Sequence, residues 1–283
     1  MHYRRQICFL LAALLLIPAA WLPQAARQTS GAAEQITQGV TLPILMYHQI
    51  SEKPQKWGKY VVSPRELEAD LRLIRARGFT PITVSELRAA FRGEAELPEK
   101  PIMITFDDGN RSDYVYAFPL AKKYGMKMIS SPVASYSEQY SALDDHNVDY
   151  AHLTWAEMRE MQASGLFEFQ NHSYDLHRFD VNRKGCLKRR GETEASYRSL
   201  LLADFEKSQA LFVENGLPAP ICFTYPFGST NALLLQYVKE CGFSATLGTY
   251  EHVNHLTGDS LFDLGRFNRP HGYDIRRILN QTE

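Results

Sequence analysis

The sequence predicts an α/β domain of parallel strands covered by helices, most simply a barrel related to the (β/α)₈ type. Short apolar runs alternate with amphipathic stretches along most of the chain, and glycines follow several of the amphipathic stretches. The 283 residues, 45% of them hydrophobic, can bury one sizeable core. In such a barrel the active site lies on loops at the C-terminal ends of the strands, so polar residues there are the functional candidates.

The first part of the domain shows the alternation clearly. We expect strands at residues 42–47, 101–106 and 127–131, and helices at residues 64–77, 119–124 and 154–164. Gly78, Gly125 and Gly165 directly follow the three helical stretches, as helix-ending glycines do. Thr154 and Glu157 form a capping-box pattern at the start of the last helix.

The second part continues the same order of elements. We expect strands at residues 167–170 and 221–225, separated by a long helix at residues 194–215 that ends before Gly216. Strand and helix patterns keep alternating to the end of the chain. This order favours parallel strands joined by helical crossovers.

The N-terminal segment has the layout of a secretory signal. Arg4 and Arg5 precede an apolar run at residues 7–22, and the small residues Ala25 and Ala26 follow. The run is shorter than the roughly 20 residues that comfortably span a bilayer. We therefore expect residues 1–26 to be a signal peptide, or alternatively a retained N-terminal anchor, residues 27–40 to be a flexible linker, and residues 41–283 to be one folded domain. Export to the cell envelope or the medium follows from this assignment.

Charge and cysteine content narrow the classes of partner and site. The formal net charge is −1 and the charged residues are intermixed, which argues against a nucleic-acid partner and favours a neutral or weakly charged one. Three cysteines, Cys186, Cys222 and Cys241, lie beyond the signal. An odd number at irregular spacing is not a disulfide framework, and none has the spacing of a metal site.

The first candidate site cluster is the sequence Thr-Phe-Asp-Asp-Gly at residues 105–109, directly after an apolar run. Adjacent residues of a strand point to opposite sides, so Asp107 and Asp108 can serve two different tasks at one site. One carboxylate can bind a metal while the other handles a proton. The alternative is an ordinary turn, because Asp-Gly is a common turn pair.

The second cluster contains His172 and His177, again just after a strand-like run. Their spacing puts them on opposite faces of a regular strand and about 140° apart on an ideal helix. They converge only if the chain turns between them, and they could then bind a metal together with Asp108 and water. Mixed nitrogen and oxygen ligands suit zinc, and also nickel, cobalt or iron.

The third cluster is the aromatic and proline-rich turn at residues 223–228. Simple core packing and a turn would explain it. In the functional interpretation, a backbone N–H near Tyr225 stabilises a developing oxyanion, and aromatic rings line the binding site.

With these clusters assembled, the chain resembles the polysaccharide deacetylases of carbohydrate esterase family four, also called the NodB homology domain, from about Leu42 to the C terminus. Residues 105–109 match the TFDDG motif of that family. Residues 172–177 match its His-(Ser/Thr) metal motif in the longer-spaced form of the poly-N-acetylglucosamine deacetylase branch, and residues 43–48 look like the opening strand of that branch. The resemblance implies a distorted (β/α)₇ barrel as the catalytic domain.

The resemblance also implies residue roles. Asp107 would be the general base, and Asp108, His172 and His177 would hold one divalent metal ion, with zinc as the first choice. Tyr225 would supply the oxyanion N–H. Two further residues look related to the site: Ser173 would support the metal loop, and His48 would face the site without an assigned role.

The sequence departs from the family pattern at two roles. Many members carry an arginine that orients the base where this chain has Thr224, and we hypothesise that Arg266 replaces it from another loop. The family also uses a late histidine as general acid. His255 and His271 are equal candidates for that role, ahead of His252.

The implied function is metal-dependent removal of N-acetyl groups from a polysaccharide that contains N-acetylglucosamine, with release of acetate. Poly-N-acetylglucosamine, peptidoglycan and chitin-like polymers all fit, and a membrane would be contacted only through an uncleaved N-terminal segment. The alternatives are a catalytically impaired carbohydrate-binding module of the same fold and an O-acetyl esterase acting on glycans such as xylan. Glycosidic cleavage is disfavoured because Asp107 and Asp108 are neighbours, and a serine hydrolase because no Gly-x-Ser-x-Gly elbow occurs. Candidate aromatic residues for the rim of a sugar groove are Trp57, Tyr136, Tyr140 and Trp155.

Overall fold

The computed structural model describes residue 36 and residues 39–282, apart from residues 144, 181 and 259. The expected signal segment at residues 1–26 lies outside the described residues, as does most of the expected linker at 27–40. Of that linker, Ile36 and Val40 are buried, and Val40 already belongs to a strand. The first strand thus begins one residue before the expected start of the folded domain, and both apolar side chains pack into a core that includes Leu256.

The strands in the described part of the chain are short. In chain order they are β1 (Val40–Leu42), β2 (Ile44–Tyr47), β3 (Gln49–Ile50), β4 (Val61–Val62), β5 (Thr80–Pro81), β6 (Pro101–Asp108), β7 (Met128–Pro132), β8 (Phe167–Phe169), β9 (Phe179–Asp180), β10 (Arg183–Lys184), β11 (Cys222–Thr224), β12 (Ala245–Leu247), β13 (Asn254–Leu256) and β14 (Phe267–Asn268). The strand expected at residues 42–47 is thus split at Pro43, which has no N–H to donate to a sheet.

Helices alternate with these strands. They are α1 (Pro64–Ala76), α2 (Val84–Phe91), α3 (Phe118–Tyr124), α4 (Ala134–Ala142), α5 (Trp155–Ala163), α6 (Glu194–Glu214), α7 (Ala232–Glu240) and α8 (Arg276–Leu279). The capping box expected at Thr154 and Glu157 is present at the start of α5. Helices α1, α3, α5 and α6 agree with the expected ranges to within one residue at each end. A glycine follows the C-terminal end of each helix, and the side chains of Ser63, Thr154 and Thr193 cap the N-terminal ends of α1, α5 and α6.

A parallel sheet forms the centre of the fold, which confirms the predicted α/β class. Its strand order is β14-β2-β6-β7-β8, with β5 also paired to β6, and β11 pairs with β12 in parallel. Single parallel bridges link Asn171 to Phe223 and Leu247 to Leu264. The residues of β2 are all buried, as are seven of the eight in β6, which explains their continuous apolar sequences.

The parallel arrangement brings the C-terminal ends of β2, β6, β8 and β11 to one edge of the sheet. The antiparallel pair of β1 and β13 lies at the opposite edge, because only Pro43 separates the last residue of β1 from the first residue of β2. Cys186, Cys222 and Cys241 are free thiols. None of the helices in the described ranges is long and apolar enough to cross a membrane.

Candidate active site

Asp107 and Asp108 end β6, in the middle of the sheet. Asp107 is 3% exposed, whereas Asp108 adopts the left-handed backbone conformation with φ of 71° and turns towards the cavity above the strands. Gly109 follows with φ of 66°, and a Cβ on it would stand 2.4 Å from the Cβ of Pro132. This tight strand exit therefore requires a glycine at position 109.

Arg266 holds Asp107 by two parallel hydrogen bonds. Its Nη1 and Nη2 each donate to one carboxylate oxygen of Asp107 at 2.7 Å, and Nε donates to the carbonyl of Gly248 at 2.8 Å. Burial would raise the pKa of Asp107, but the charge and hydrogen bonds of Arg266, together with the nearby His172 and His48, lower that pKa below its usual value. Asp107 is thus an oriented carboxylate.

Thr224 plays a different part from the arginine that the family pattern has at its position. It is fully buried, and its hydroxyl is 2.8 Å from that of Ser131. Arg266, which lies just before β14, reaches Asp107 from another part of the sheet. The contact on which the Arg266 hypothesis depends is therefore present.

Asp108, His172 and His177 converge beside Asp107. The Oδ1 atom of Asp108 is 3.5 Å from Nε2 of His172 and 3.3 Å from Nε2 of His177, and one ligand atom of each residue lies within 4.8 Å of the others. Asp108 Oδ1 is buried, and no described group donates a hydrogen bond to it. A divalent cation would supply the missing partner, so the three residues fit a metal site with one carboxylate and two imidazole ligands.

The two histidines differ in their hydrogen bonding and in their pKa. Nδ1 of His172 is 2.8 Å from the carbonyl of Thr224 and donates to it, which leaves Nε2 for a metal. Burial disfavours the charged form of His172, but the adjacent carboxylate of Asp108 and the charge of Asp107 raise its pKa. Burial and the nearby His172 lower the pKa of His177 to about 4, so this imidazole is neutral near neutral pH.

A cavity of about 670 Å³ opens above these residues. Its floor includes Asp107, Asp108, His172 and His177, and its walls carry the aromatic rings of Tyr60, Phe179 and Phe227 and the charged groups of Lys59, Lys184 and Glu251. Phe179 is 69% exposed and lies on the hairpin of β9 and β10. The centroid of its ring lies 4.4 Å from that of Phe227, and the two ring planes are tilted by 40°.

The aromatic candidates from the sequence lie elsewhere. Trp155 is buried against Phe212, and the ring of Trp57 packs on His271. Tyr136 and Tyr140 both pack around His152, outside the lining of this cavity. The sequence did not reveal the aromatic wall because Phe179 comes from a hairpin too short to give a periodic pattern.

His48 directly follows β2 and lines the cavity with Asp107 and Asp108. Its Nδ1 atom is buried, and no hydrogen bond to it is formed within the described structure. Burial lowers the pKa of His48, while the charges of Asp107 and Asp108 act in the opposite direction. It therefore presents an imidazole to the same cavity as Asp107.

The late histidines expected as general acids are outside the cavity. His255 lies on β13, pairs with Thr41 at the opposite edge of the sheet and is exposed. His271 packs on Trp57, with its Nδ1 2.9 Å from a carboxylate oxygen of Glu66. The ring of His252 packs against Gly265. These placements argue against His255 and His271 as general acids, because neither imidazole lines the cavity that holds Asp107.

The Tyr225 N–H cannot supply the oxyanion donor, because it donates to the carbonyl of Leu247 at 3.0 Å within the sheet. Tyr225 lines the cavity, but that expected role is wrong. Gly228 and Ser229 also donate to backbone carbonyls, and Pro226 has no N–H. The Phe227 N–H remains, with no acceptor in the described part of the chain, and Phe227 has the left-handed φ of 58°.

Comparison with known proteins identifies relatives of the chain. Residues 94–246, more than half of the 283-residue sequence, match the family model described as polysaccharide deacetylase. The chain is 26% identical over 217 residues to the poly-beta-1,6-N-acetyl-D-glucosamine N-deacetylase of Escherichia coli K12, a match that covers 70% of this chain and 32% of that protein. It thus spans about a third of the length of that relative. The enzyme of the same name from Staphylococcus aureus N315 is 24% identical over 259 residues, which cover 86% of this chain and 84% of the relative.

Solved structures give a consistent fold comparison. A de-N-acetylase from Aggregatibacter actinomycetemcomitans superposes with a TM-score of 0.75 at 22% identity, over 86% of this chain and all of that one. IcaB from Ammonifex degensii superposes with a TM-score of 0.65 at 28% identity, over 80% of this chain and 90% of that one.

Proposed function

Since this chain belongs to the polysaccharide deacetylase family, we propose that it is a metal-dependent hydrolase that removes N-acetyl groups from poly-N-acetylglucosamine and releases acetate. The observation that carries the proposal is the convergence of Asp108, His172 and His177 beside the oriented carboxylate of Asp107. The parallel strands and the bridges between them also support the distorted (β/α)₇ barrel expected from the sequence.

The reaction requires activation of both reactants, because an amide is a poor electrophile and water a poor nucleophile. A bound divalent metal lowers the pKa of water from about 15.7 towards roughly 7 and polarises a carbonyl oxygen. Asp108, His172 and His177 would hold that metal. Zinc suits the mixed oxygen and nitrogen ligands, and nickel, cobalt and iron are alternatives.

Two residues of the cavity would move protons. Asp107 is ionised and fixed by Arg266, so it accepts the proton of the attacking water. His48 is the histidine beside it in the cavity, and we assign to it the transfer of a proton to the departing amine. Proton transfer by a positioned side chain typically contributes about 10²- to 10⁴-fold in rate.

The Phe227 N–H is the proposed donor to the oxyanion of the tetrahedral intermediate. It is the amide of the 225–229 turn that no carbonyl in the described structure uses, and its residue lines the cavity. Loss of one such donor typically lowers turnover by about 10²- to 10³-fold. The products are acetate and a free amino sugar.

A polymer of N-acetylated sugars is supported by the open aromatic wall and by the relatives. Phe179 and Phe227 present neighbouring rings at the cavity edge, where the apolar face of a pyranose ring can pack. Both bacterial relatives described above are named for deacetylation of poly-beta-1,6-N-acetyl-D-glucosamine. The sequence of residues 1–26 supports export, so we propose an envelope or extracellular polymer as the substrate.

The test is acetate release from β-1,6-linked N-acetylglucosamine oligomers by metal-stripped and zinc-reloaded protein. We expect release only after reloading, and none from the Asp108→Ala variant, because the remaining two histidines lack the carboxylate ligand. Peptidoglycan, chitin oligomers and acetylated xylan serve as comparison substrates. Absence of release from all four would favour the carbohydrate-binding module, and release from xylan alone would favour the O-acetyl esterase.

A further inference from the structure

The turn between His172 and His177 is held by side chains at each of its amides. Ser173 has a left-handed φ of 76°, and its N–H donates to Oδ1 of Asn171 at 2.7 Å. The N–H of Leu176 donates to the hydroxyl of Ser173 at 3.1 Å. These two hydrogen bonds satisfy the first and the last amide of the turn. The amides of Tyr174 and Asp175, which lie between them, need other acceptors.

Asp204 supplies both of these acceptors from helix α6. Its Oδ1 atom accepts from the N–H of Tyr174 at 2.8 Å, and its Oδ2 atom accepts from the N–H of Asp175 at 2.9 Å. One carboxylate therefore spans two consecutive amides at the apex of the turn. Asp204 lies outside the cavity lining and is not one of the metal-site residues.

We propose that Asp204 is a positioning residue that fixes the 172–177 turn so that His172 and His177 converge on Asp108 before metal binds. This inference rests on the metal site of the proposed function. It explains how two histidines spaced i, i+5 can place their Nε2 atoms within 3.5 Å of the same carboxylate oxygen. Neither a regular strand nor a regular helix would do so.

The burial of Asp204 supports this role. The residue is 8% exposed, and no Lys or Arg in the described structure forms an ion pair with it. Burial raises the pKa of Asp204 to about 6, although the two amide hydrogen bonds act to lower it. A buried carboxylate without a cation is unfavourable unless fixed donors compensate it, and here those donors are the turn amides.

The test compares metal affinity in the wild type and in Asp204→Asn. The amide has nearly the same shape but only one acceptor oxygen, so one turn N–H loses its partner. We expect zinc affinity, measured by competition with a chromophoric chelator, to fall by about 10- to 100-fold, as when an outer-shell partner of a ligand is removed. Turnover at saturating zinc should stay close to the wild-type value, and the visible spectrum of the cobalt-loaded protein should change in shape.

Glu206→Gln is the matched control, since it makes the same charge change at an exposed position of the same helix. It should bind zinc as the wild type does. Equal zinc affinity in Asp204→Asn and the wild type would overturn the proposal.

A second measurement keeps the test independent of how the variant folds. In the metal-free wild type, the amides of Tyr174 and Asp175 should be protected from hydrogen exchange, and free exchange there would also overturn the proposal. Both readouts are separate from catalysis. Loss of zinc affinity in Asp204→Asn together with no acetate release by the wild type would retain the positioning role and reject the proposed function.

Discussion

The arginines of two buried arginine–aspartate pairs lie three residues apart on one segment, and only one of these pairs belongs to the candidate site. Arg266 binds Asp107 at the cavity floor, whereas Arg269 binds Asp70 of helix α1 through Nε at 2.6 Å. Each pair also has a histidine in its vicinity: His48 shares the cavity with Asp107, and His271 contacts Glu66 beside Arg269. Residue types alone therefore do not distinguish the two clusters.

The two clusters differ in the groups that surround each carboxylate. Asp70 accepts a hydrogen bond from the hydroxyl of Tyr47 at 2.8 Å, so its oxygens are occupied by protein donors. Burial raises the pKa of Asp70 despite Arg269, whereas the Arg266 charge lowers that of Asp107. The first cluster ties helix α1 to the sheet, and the second presents an ionised carboxylate to the cavity that holds Asp108, His172 and His177. The comparison indicates that proximity to these three residues, rather than the ion pair itself, makes Asp107 the candidate base.

The largest effect is expected for Asp107→Asn. Removal of the base should lower turnover by about 10²- to 10⁴-fold, measured as acetate release at saturating zinc. The matched change Asp70→Asn should lower the free energy of unfolding but leave turnover close to the wild-type value. Equal losses of turnover in the two variants would contradict the assignment of catalysis to Asp107 and of a structural role to Asp70.

The next effect concerns the two histidines. His48→Asn should lower turnover by about 10²-fold or more, because the proposed proton donor to the amine is lost. His271→Asn removes an imidazole that contacts Glu66 outside the cavity, so turnover should change by less than about twofold. Wild-type turnover in His48→Asn would show that His48 is not the general acid.

Arg266→Ala should shift the pH dependence of the reaction. Without the guanidinium the pKa of Asp107 rises, since burial then acts unopposed by that charge. Asp107 then stays protonated up to a higher pH, and the acid limb of the profile of kcat/KM against pH should move to higher pH. We expect turnover at neutral pH to fall by about 10- to 100-fold, as for residues that orient a group of the site. An unchanged acid limb would show that Arg266 does not tune the base.

The smallest effect on turnover is expected for Arg269→Ala. Breaking a buried pair leaves Asp70 without its cation, so chemical denaturation should show a loss of about 3–5 kcal/mol in the free energy of unfolding. Turnover of the folded fraction should remain within about twofold of the wild type. A large loss of turnover with unchanged stability would place Arg269 in the catalytic machinery.

The sequence was most informative where function depends on adjacent residues. Asp107 and Asp108 end β6, and His172 and His177 come shortly after β8. The apolar runs of both strands are plain in the sequence, so the placement of the four residues at one edge of the sheet could be predicted. The turn that makes the two histidines converge was inferred only as a requirement. Its acceptor, Asp204, is 30 residues from Tyr174 and carries no local signal.

Errors arose where a role depends on pairing between distant segments. The placement of His255 follows from the pairing of β13 with β1, whose partners Thr41 and His255 are 214 residues apart. The Tyr225 N–H is used by β12, and this could not be known before the strand partners were known. His48 was noted at the end of an expected strand, but its place beside Asp107 depends on the pairing of β2 with β6.

The most direct test of the proposed mechanism is a titration of zinc into metal-stripped protein with acetate release from β-1,6-linked N-acetylglucosamine oligomers as the signal. Release should rise linearly with added zinc and reach a plateau at about one equivalent per chain, as expected for a single three-residue site. The same rate of release before any zinc is added, or from Asp108→Ala, would contradict the metal-dependent mechanism.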